Sequence, residues 1–195
     1  MLDHVFTDAI GALRDAVEHA RLERQAVEER FQSDVLLGDS LWQTSYSLPG
    51  EGLPPRVQAD ISCVWPIWSQ AAYRSWFVDD EFTEAPRIEI ELVLRRQHLD
   101  RFPDPRRLLE ALPIEPPAIG GDRLARTGPT VESLYGNSLD NPEYAIEVGF
   151  VGAYELTEHG LADGSTLDAD FGAFGGWIAA TLVRLGDAEL SNPVH

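Results

Sequence analysis

The stretch PRIEIELVLRRQH, residues 86–98, alternates apolar and polar residues and decides the fold class. Because strand side chains alternate with a period of two, one face of this segment carries four aliphatic residues, Ile88, Ile90, Leu92 and Leu94. The opposite face carries Glu89, Glu91, Val93 and Arg95. One face therefore suits a core and the other suits water or a partner. We predict that this strand lies near the centre of an antiparallel sheet.

The composition predicts a soluble globular protein with an unusual charge. A length of 195 residues fits a single domain over residues 1–195, and the apolar and charged fractions of 44% and 25% are ordinary. However, 33 acidic residues face 15 basic ones, all of them arginine, for a net charge of -18. A GC-rich genome is the simplest explanation for the arginine bias, and adaptation to salt is the alternative.

Upstream of this strand, the chain reads as one long helix followed by a hairpin. A helix over residues 2–31 is predicted by apolar residues at three- and four-residue steps: Phe6, Ile10, Leu13, Val17, Ala20, Val27 and Phe31. This stripe suits packing across a sheet, or a dimer seam. Strands follow over residues 34–48 and 57–63, joined by the turn-rich segment 49–55.

Downstream, a short helix precedes two strands and a last helix. Asp104 suits the N-cap, Pro105 suits the first helical position, and Pro113 ends the helix. Residues 131–135 and 144–150 read as strands, in which Gly149 and Gly152 indicate a bulge or a close backbone approach. The last helix begins at Asp168 or Asp170, has Gly186 as C-cap, and buries Phe171, Phe174, Ile178, Leu182 and Leu185.

The predicted order is helix, three strands, helix, two strands, helix (α-β-β-β-α-β-β-α). Strands joined by turns predict an α+β fold with an antiparallel sheet of about five strands, flanked by N- and C-terminal helices. This order, together with the acidity, resembles the type III secretion chaperone-like domain. The resemblance implies a small acidic protein that binds other proteins.

No catalytic motif is present, which favours a function other than catalysis. The chain lacks a phosphate-binding loop, a nucleophile elbow and a zinc-binding helix. Its single cysteine, Cys63, excludes an intrachain disulfide and is expected to be a buried hydrophobe. The best metal candidates are Glu155, Glu158 and His159, with Asp163, Asp168 and Asp170 nearby, but their spacing does not fit an EF-hand. We therefore predict neither a metal nor a cofactor.

An aromatic run offers the alternative to a purely binding function. Residues 65–77 hold Trp65, Trp68, Tyr73, Trp76 and Phe77, which either fill the core or line a ligand pocket. In the second case the protein is a small-molecule sensor or enzyme. Its pocket is then lined by Trp65, Trp68, Tyr73, Trp76, Glu89 and Glu91, with Glu89, Glu91 or His159 as reactive groups. If the two glutamates are not reactive, we expect them to pair with Arg87, Arg95 or cross-strand arginines.

The charge distribution predicts a basic partner. Residues 127–183 contain nine acids and no arginine or lysine, whereas Arg95, Arg96, Arg101, Arg106 and Arg107 lie within thirteen residues. In one interpretation, the arginines face part of this acidic segment inside the fold. In the other, the acidic segment stays uncompensated and binds a basic protein surface. The predicted partner-binding residues are Glu132, Asp140, Glu143, Glu147, Glu155, Glu158 and Asp163. Solubility alone is the alternative role of this charge.

We therefore predict a non-catalytic acidic binding or adaptor protein that engages a protein partner, either chaperone-like or as a DNA-mimic inhibitor. The negative surface argues against direct nucleic-acid binding. A secretory signal and an apolar run of membrane-spanning length are both absent, so we expect a cytoplasmic protein without a membrane contact. The stripe on the first helix and the glycine-rich face of the last helix also suit a homodimer.

Overall fold

A computed structural model describes residues 6–15, 19, 27–36, 38–48, 54–79, 84–135, 142–157 and 164–191, with backbone alone for 27–36, 77–79 and 164. Within these ranges the helices are α1 over 6–15, α2 (Ile67–Asp79), α3 (Pro105–Ala111) and α4 (Gly164–Asp187). The strands are β1 (Val27–Leu36), β2 (Asp39–Ser47), β3 (Val57–Trp65), β4 (Arg87–Leu99), β5 (Ala118–Ile119), β6 (Asp122–Arg123), β7 (Ala125–Arg126), β8 (Thr130–Leu134) and β9 (Glu143–Glu155). The predicted α+β class is confirmed.

The main sheet is antiparallel and has β4 in its interior. The strand order is β1-β2-β3-β4-β9, and both β7 and β8 pair with the far side of β9. Strands β5 and β6 form a separate small hairpin. Because β3 and β9 flank β4 on its two sides, the strand that residues 86–98 predict lies near the centre of the sheet, as expected.

One face of the sheet, the inner face, is buried against helices. The four aliphatic residues of β4 on this face are at most 2% exposed. Helix α1 contributes Phe6, whose ring stacks on Trp65 with 5.8 Å between centroids. Helix α4 buries the five residues predicted for it, Phe171, Phe174, Ile178, Leu182 and Leu185. Full burial of each such side chain stabilises the fold by roughly 1.5–3 kcal/mol.

The predicted first helix is wrong over residues 27–31. The structure has helix over residues 6–15 but a strand from Val27 to Leu36, where residues 27–31 had been assigned to the helix. Strand β1 pairs with β2 along nearly its whole length, and Gly38, at φ +94°, lies in the turn between them. Val27 and Phe31 fit either period, and pairing with β2 decides between them because tertiary context overrides local propensity.

Helix α2 was not predicted, because its contacts come from distant parts of the chain. The Asp39 carboxylate accepts a hydrogen bond from the Ile67 backbone N–H at 2.7 Å, capping the helix from 28 residues away. Ser69 Oγ accepts from the Trp65 indole N–H at 3.0 Å and from the Arg87 N–H at 2.7 Å. These bonds attach α2 to β3 and β4. No residue immediately before Ile67 offers a comparable cap.

Helix α3 forms as predicted. The Asp104 side chain accepts a hydrogen bond from the Arg106 N–H at 2.9 Å, and Pro105 occupies the first turn. The helix ends at Ala111, and Leu108 is fully buried on its apolar face. An N-cap of this kind stabilises a helix by about 1 kcal/mol.

Close backbone approaches explain three glycines. A Cβ at Gly149 would lie 2.9 Å from Thr127 Oγ1, and one at Gly152 would lie 2.6 Å from Leu124 Cδ2, so the predicted close approach is confirmed. Gly186 is not the C-cap that was expected, since α4 continues to Asp187. Its Cβ would lie 2.7 Å from Leu48 Cδ1, so Gly186 instead allows α4 to lie close to the residue that follows β2.

Cys63 is fully buried on β3, as predicted, and burial raises the pKa of its thiol to about 12. The reactive thiolate is therefore scarce at neutral pH, and the sulfur is shielded from reagents. We expect no reaction of the native protein with an alkylating reagent, and complete reaction in denaturant, measured by intact mass. A Cys63→Ser variant is the control and should remain unlabelled in both states. Native labelling as fast as denatured labelling would contradict this burial.

Candidate functional site

The second face of the sheet, the outer face, is open at its centre. The described helices contact the inner face, and Glu89 and Glu91 are exposed on the opposite side of β4. Two shallow depressions of about 320 and 460 Å³ lie here and share Ser62 and Glu91 in their lining. The two depressions therefore adjoin at Ser62 and Glu91, where a ligand can reach the outer face.

Strand pairing arranges the outer-face side chains in transverse rows across β2, β3, β4 and β9. The central row is Gln43, Ser62, Glu91 and Val151. The row on one side is Ser45, Asp60, Val93 and Gly149, and the row on the other side is Leu41, Val64, Glu89 and Ala153. Cross-strand neighbours approach within about 4.5–5.5 Å between Cβ atoms. Each glutamate therefore lies directly between uncharged side chains.

Glu89 and Glu91 have no counterion among the residues that the structure describes. Neither carboxylate forms an ion pair or a hydrogen bond with a described residue, and the arginines expected to pair with them are engaged elsewhere. The Arg87 guanidinium lies 4.9 Å from the Trp68 ring centroid, a cation–π contact, and Arg95 binds two acids on β8 and β9. The expectation of internal pairing for Glu89 and Glu91 is therefore wrong for the part of the chain that the structure describes.

A third outer-face acid, Asp60, is held in place by its neighbours. Its Oδ1 accepts hydrogen bonds from Ser45 Oγ at 2.5 Å and from Gln58 Nε2 at 2.6 Å. Asp60 lines the same depression as Glu91, diagonally across β3 and β4. A fixed carboxylate beside two uncompensated ones makes this surface attractive to cations.

The acids predicted to bind a partner are partly engaged within the fold. Arg95 contacts Glu132 at 2.8 Å and Glu147 at 2.9 Å, and His98 Nδ1 lies 2.6 Å from the Glu143 carboxylate. Glu155 is exposed at the end of β9. The other three predicted residues, Asp140, Glu158 and Asp163, lie outside the described residues. Of the arginine cluster, Arg95 faces the acidic segment, which supports internal compensation as one role of that cluster.

The residues of the alternative aromatic pocket divide between the two faces of the sheet. Trp65 is 1% exposed and Tyr73 is 8% exposed, with their rings 5.9 Å apart, and Tyr73 also contacts Trp76. These three rings belong to the core on the inner side of the sheet, and Trp68 is half-buried against Arg87. Glu89 and Glu91 point to the opposite face of β4. Trp65, Tyr73 and Trp76 therefore pack in or against the core, whereas Trp68 lies half-buried beside Arg87.

The described residues offer no grouping of three or more His, Cys, Asp or Glu side chains that could hold a metal. Of the metal candidates, Glu158, His159 and Asp163 lie outside the description, and Asp170 accepts a hydrogen bond from the Tyr154 hydroxyl at 3.2 Å. Among the described residues, no helix combines the length and the apolar character that a membrane crossing requires.

Sequence reasoning missed the uncharged neighbours and Asp60 at the centre of this surface. Asp60 lies at one of the polar positions that alternate with the buried residues Val57, Ala59 and Ile61. This alternation is the signal that places Asp60 on the outer face. Ser62 and Val64 follow the same alternation, but their position beside the glutamates, like that of Val151 and Ala153, depends on strand register. Comparison with known proteins finds no protein-family model, no curated protein and no solved structure that matches the chain.

Proposed function

We propose that the protein is a non-catalytic binding protein that holds a basic segment of a protein partner on its outer face. The observation that carries this proposal is the exposed pair Glu89 and Glu91, which has no counterion among the described residues at the centre of an open sheet face. Uncompensated charge of one sign destabilises a fold through self-repulsion. A cationic partner relieves this repulsion, and the attraction between opposite charges increases its affinity and its association rate.

Charge complementarity favours a basic partner over a second copy of the chain on this face. A two-fold symmetric dimer places the same patch on both sides of the interface. Glu89 and Glu91 would then approach the same two residues of the other copy, and like charges across an interface cost several kcal/mol. Homodimerisation through α1 or α4 stays a separate prediction.

The same charges favour a short basic segment over a nucleic-acid-binding enzyme as partner. A DNA mimic needs an extended series of free carboxylates in place of phosphates. Three acids of the C-terminal third, Glu132, Glu143 and Glu147, are instead bound to Arg95 or His98. The free acids that remain at the centre of the outer face form a small patch, which suits a short segment.

A pair of charge-matched variants tests this proposal. The double variant Glu89→Gln, Glu91→Gln should bind a short arginine-containing peptide about tenfold more weakly than the parent, measured by isothermal titration calorimetry. The control double variant Glu110→Gln, Asp187→Asn removes the same charge at exposed sites on α3 and α4, and should bind within about twofold of the parent.

The control separates a specific site from attraction to a protein of net charge -18. Binding to the parent should weaken as salt is added, because partly exposed charge pairs are screened. Equal affinities of the two double variants, or no binding of the peptide to the parent, would overturn the proposal.

A further inference from the structure

The spacing of the free carboxylates along β4 specifies the shape of the partner segment. Glu89 and Glu91 are two residues apart on one strand, so their positions repeat at about 6.6–6.8 Å. We infer that the segment binds in an extended conformation along β4, with basic residues at two alternate positions that pair with Glu89 and Glu91. This inference rests on the proposed function.

An extended segment matches this spacing by geometry. Its side chains at alternate positions point to the same side and repeat at the same distance as those of β4. Two cations can therefore face two carboxylates without distortion of either chain. The exposed backbone of the segment stays in water, since the outer face presents side chains rather than a free strand edge.

A helix is a poorer occupant, although its residues four apart have a similar rise of about 6 Å. A helix that lies across a sheet needs a broad apolar stripe on both surfaces. The aliphatic side chains at the centre of the outer face are Leu41 and Val64 on one side of β4 and Val151 and Ala153 on the other, with Val93 on β4 itself. Glu89 and Glu91 lie between the two groups. That surface is too interrupted to bury the stripe of a helix.

The aliphatic neighbours favour arginine or lysine side chains over small cations. Val64 and Ala153 flank Glu89, and Val151 lies beside Glu91. Long basic side chains lay their methylene stems on apolar surface while the charged end reaches a carboxylate. A free inorganic cation gains only the charge and none of this packing.

The outer-face residues of β4 that precede Glu89 and follow Glu91 limit the segment to two cations. Along the outer side of β4 the order is Arg87, Glu89, Glu91, Val93 and Arg95. A third alternate residue beyond Glu91 meets Val93, which favours an aliphatic side chain, because Asp60 opposite Val93 already accepts hydrogen bonds from Ser45 and Gln58. The next meets Arg95, which offers no carboxylate to a cation and is itself bound to Glu132 and Glu147. The predicted pattern is therefore basic, basic and aliphatic at successive alternate positions.

Peptides of identical composition but different spacing test the inference. Two arginines and one valine are placed at alternate positions in one peptide, with the arginines adjacent in a second and four positions apart in a third. We expect the alternating peptide to bind about tenfold more tightly than the other two. Glu91→Gln should reduce this preference to within about twofold, whereas the control Glu110→Gln should leave it unchanged.

The outcomes separate the inference from the proposed function. Equal affinity for all three peptides, or a preference for arginines four positions apart, overturns the extended conformation. If the double variant Glu89→Gln, Glu91→Gln still weakens every peptide in that case, the proposed function survives. If that double variant changes none of the affinities, both proposals fail.

Discussion

Replacing Leu92 by alanine is expected to lower the free energy of unfolding by about 3 kcal/mol. Leu92 has no exposed surface, and its cross-strand neighbours on β3 and β9 are Ile61 and Phe150, both nearly fully buried. The substitution removes apolar burial and leaves a cavity that these neighbours cannot fill. Urea denaturation followed by circular dichroism measures the change.

The adjacent residue on the same strand provides the control for Leu92. Glu91→Ala should change the free energy of unfolding by no more than about 0.5 kcal/mol, because the Glu91 side chain is exposed and has no described partner. Similar losses of unfolding free energy in the two variants would show that the two faces of β4 are equally covered. That result would contradict the open outer face on which the binding proposals depend.

Gly120→Ala is expected to destabilise the protein by about 3 kcal/mol through backbone strain and a steric clash. Gly120 has φ +60°, and a Cβ there would lie 2.5 Å from Tyr154 Cε2. The Tyr154 ring cannot move easily, because it packs on Phe171 at 5.2 Å and its hydroxyl donates to Asp170. Burial raises the pKa of Tyr154 to about 12, so this hydroxyl keeps its proton at neutral pH.

A substitution at the next residue, Gly121, distinguishes the effect of the steric clash with Tyr154 from that of the backbone strain. Gly121 also has a positive φ, +88°, but a Cβ there meets no atom within 4 Å. Gly121→Ala should therefore show only the cost of the left-handed conformation, about 1–2 kcal/mol. Thermal or urea denaturation of both variants gives the comparison, and equal losses would rule out the contact with Tyr154 as a cause.

The parts of the fold that could be predicted are those with a local period. Residues 86–98 alternate without interruption, and α4 repeats its large apolar residues at helical steps, so each element identifies its own buried face. Asp104 and Pro105 likewise mark the beginning of α3 by their residue types alone. In these segments the tertiary contacts agree with the preference of the sequence.

The segments that could not be predicted depend on distant partners. Strand β1 contains Val27 and Phe31 at positions that suit a helix, and only pairing with β2 shows that they belong to a strand. Helix α2 receives its cap from Asp39, across a hairpin. Neither contact leaves a signal within the segment itself.

Only part of the candidate site could be predicted, for the same reason. Alternation places Glu89 and Glu91 together on one face, but it does not reveal their neighbours on other strands. The register of β3 and β9 places Ser62, Val64, Val151 and Ala153 beside them, and places Arg95 against Glu132 and Glu147 instead. The lack of counterions for Glu89 and Glu91 within the described ranges follows from this register.

Residues that hold the core and residues that face the open surface alternate one by one along β4. A substitution at Glu89, Glu91 or Val93 changes the surface without changing a buried contact, because each side chain points away from the core. The ligand preference of such a sheet can therefore diverge while its stability stays constant. The outer face is accordingly the place to introduce random substitutions when a new binding specificity is selected on this scaffold.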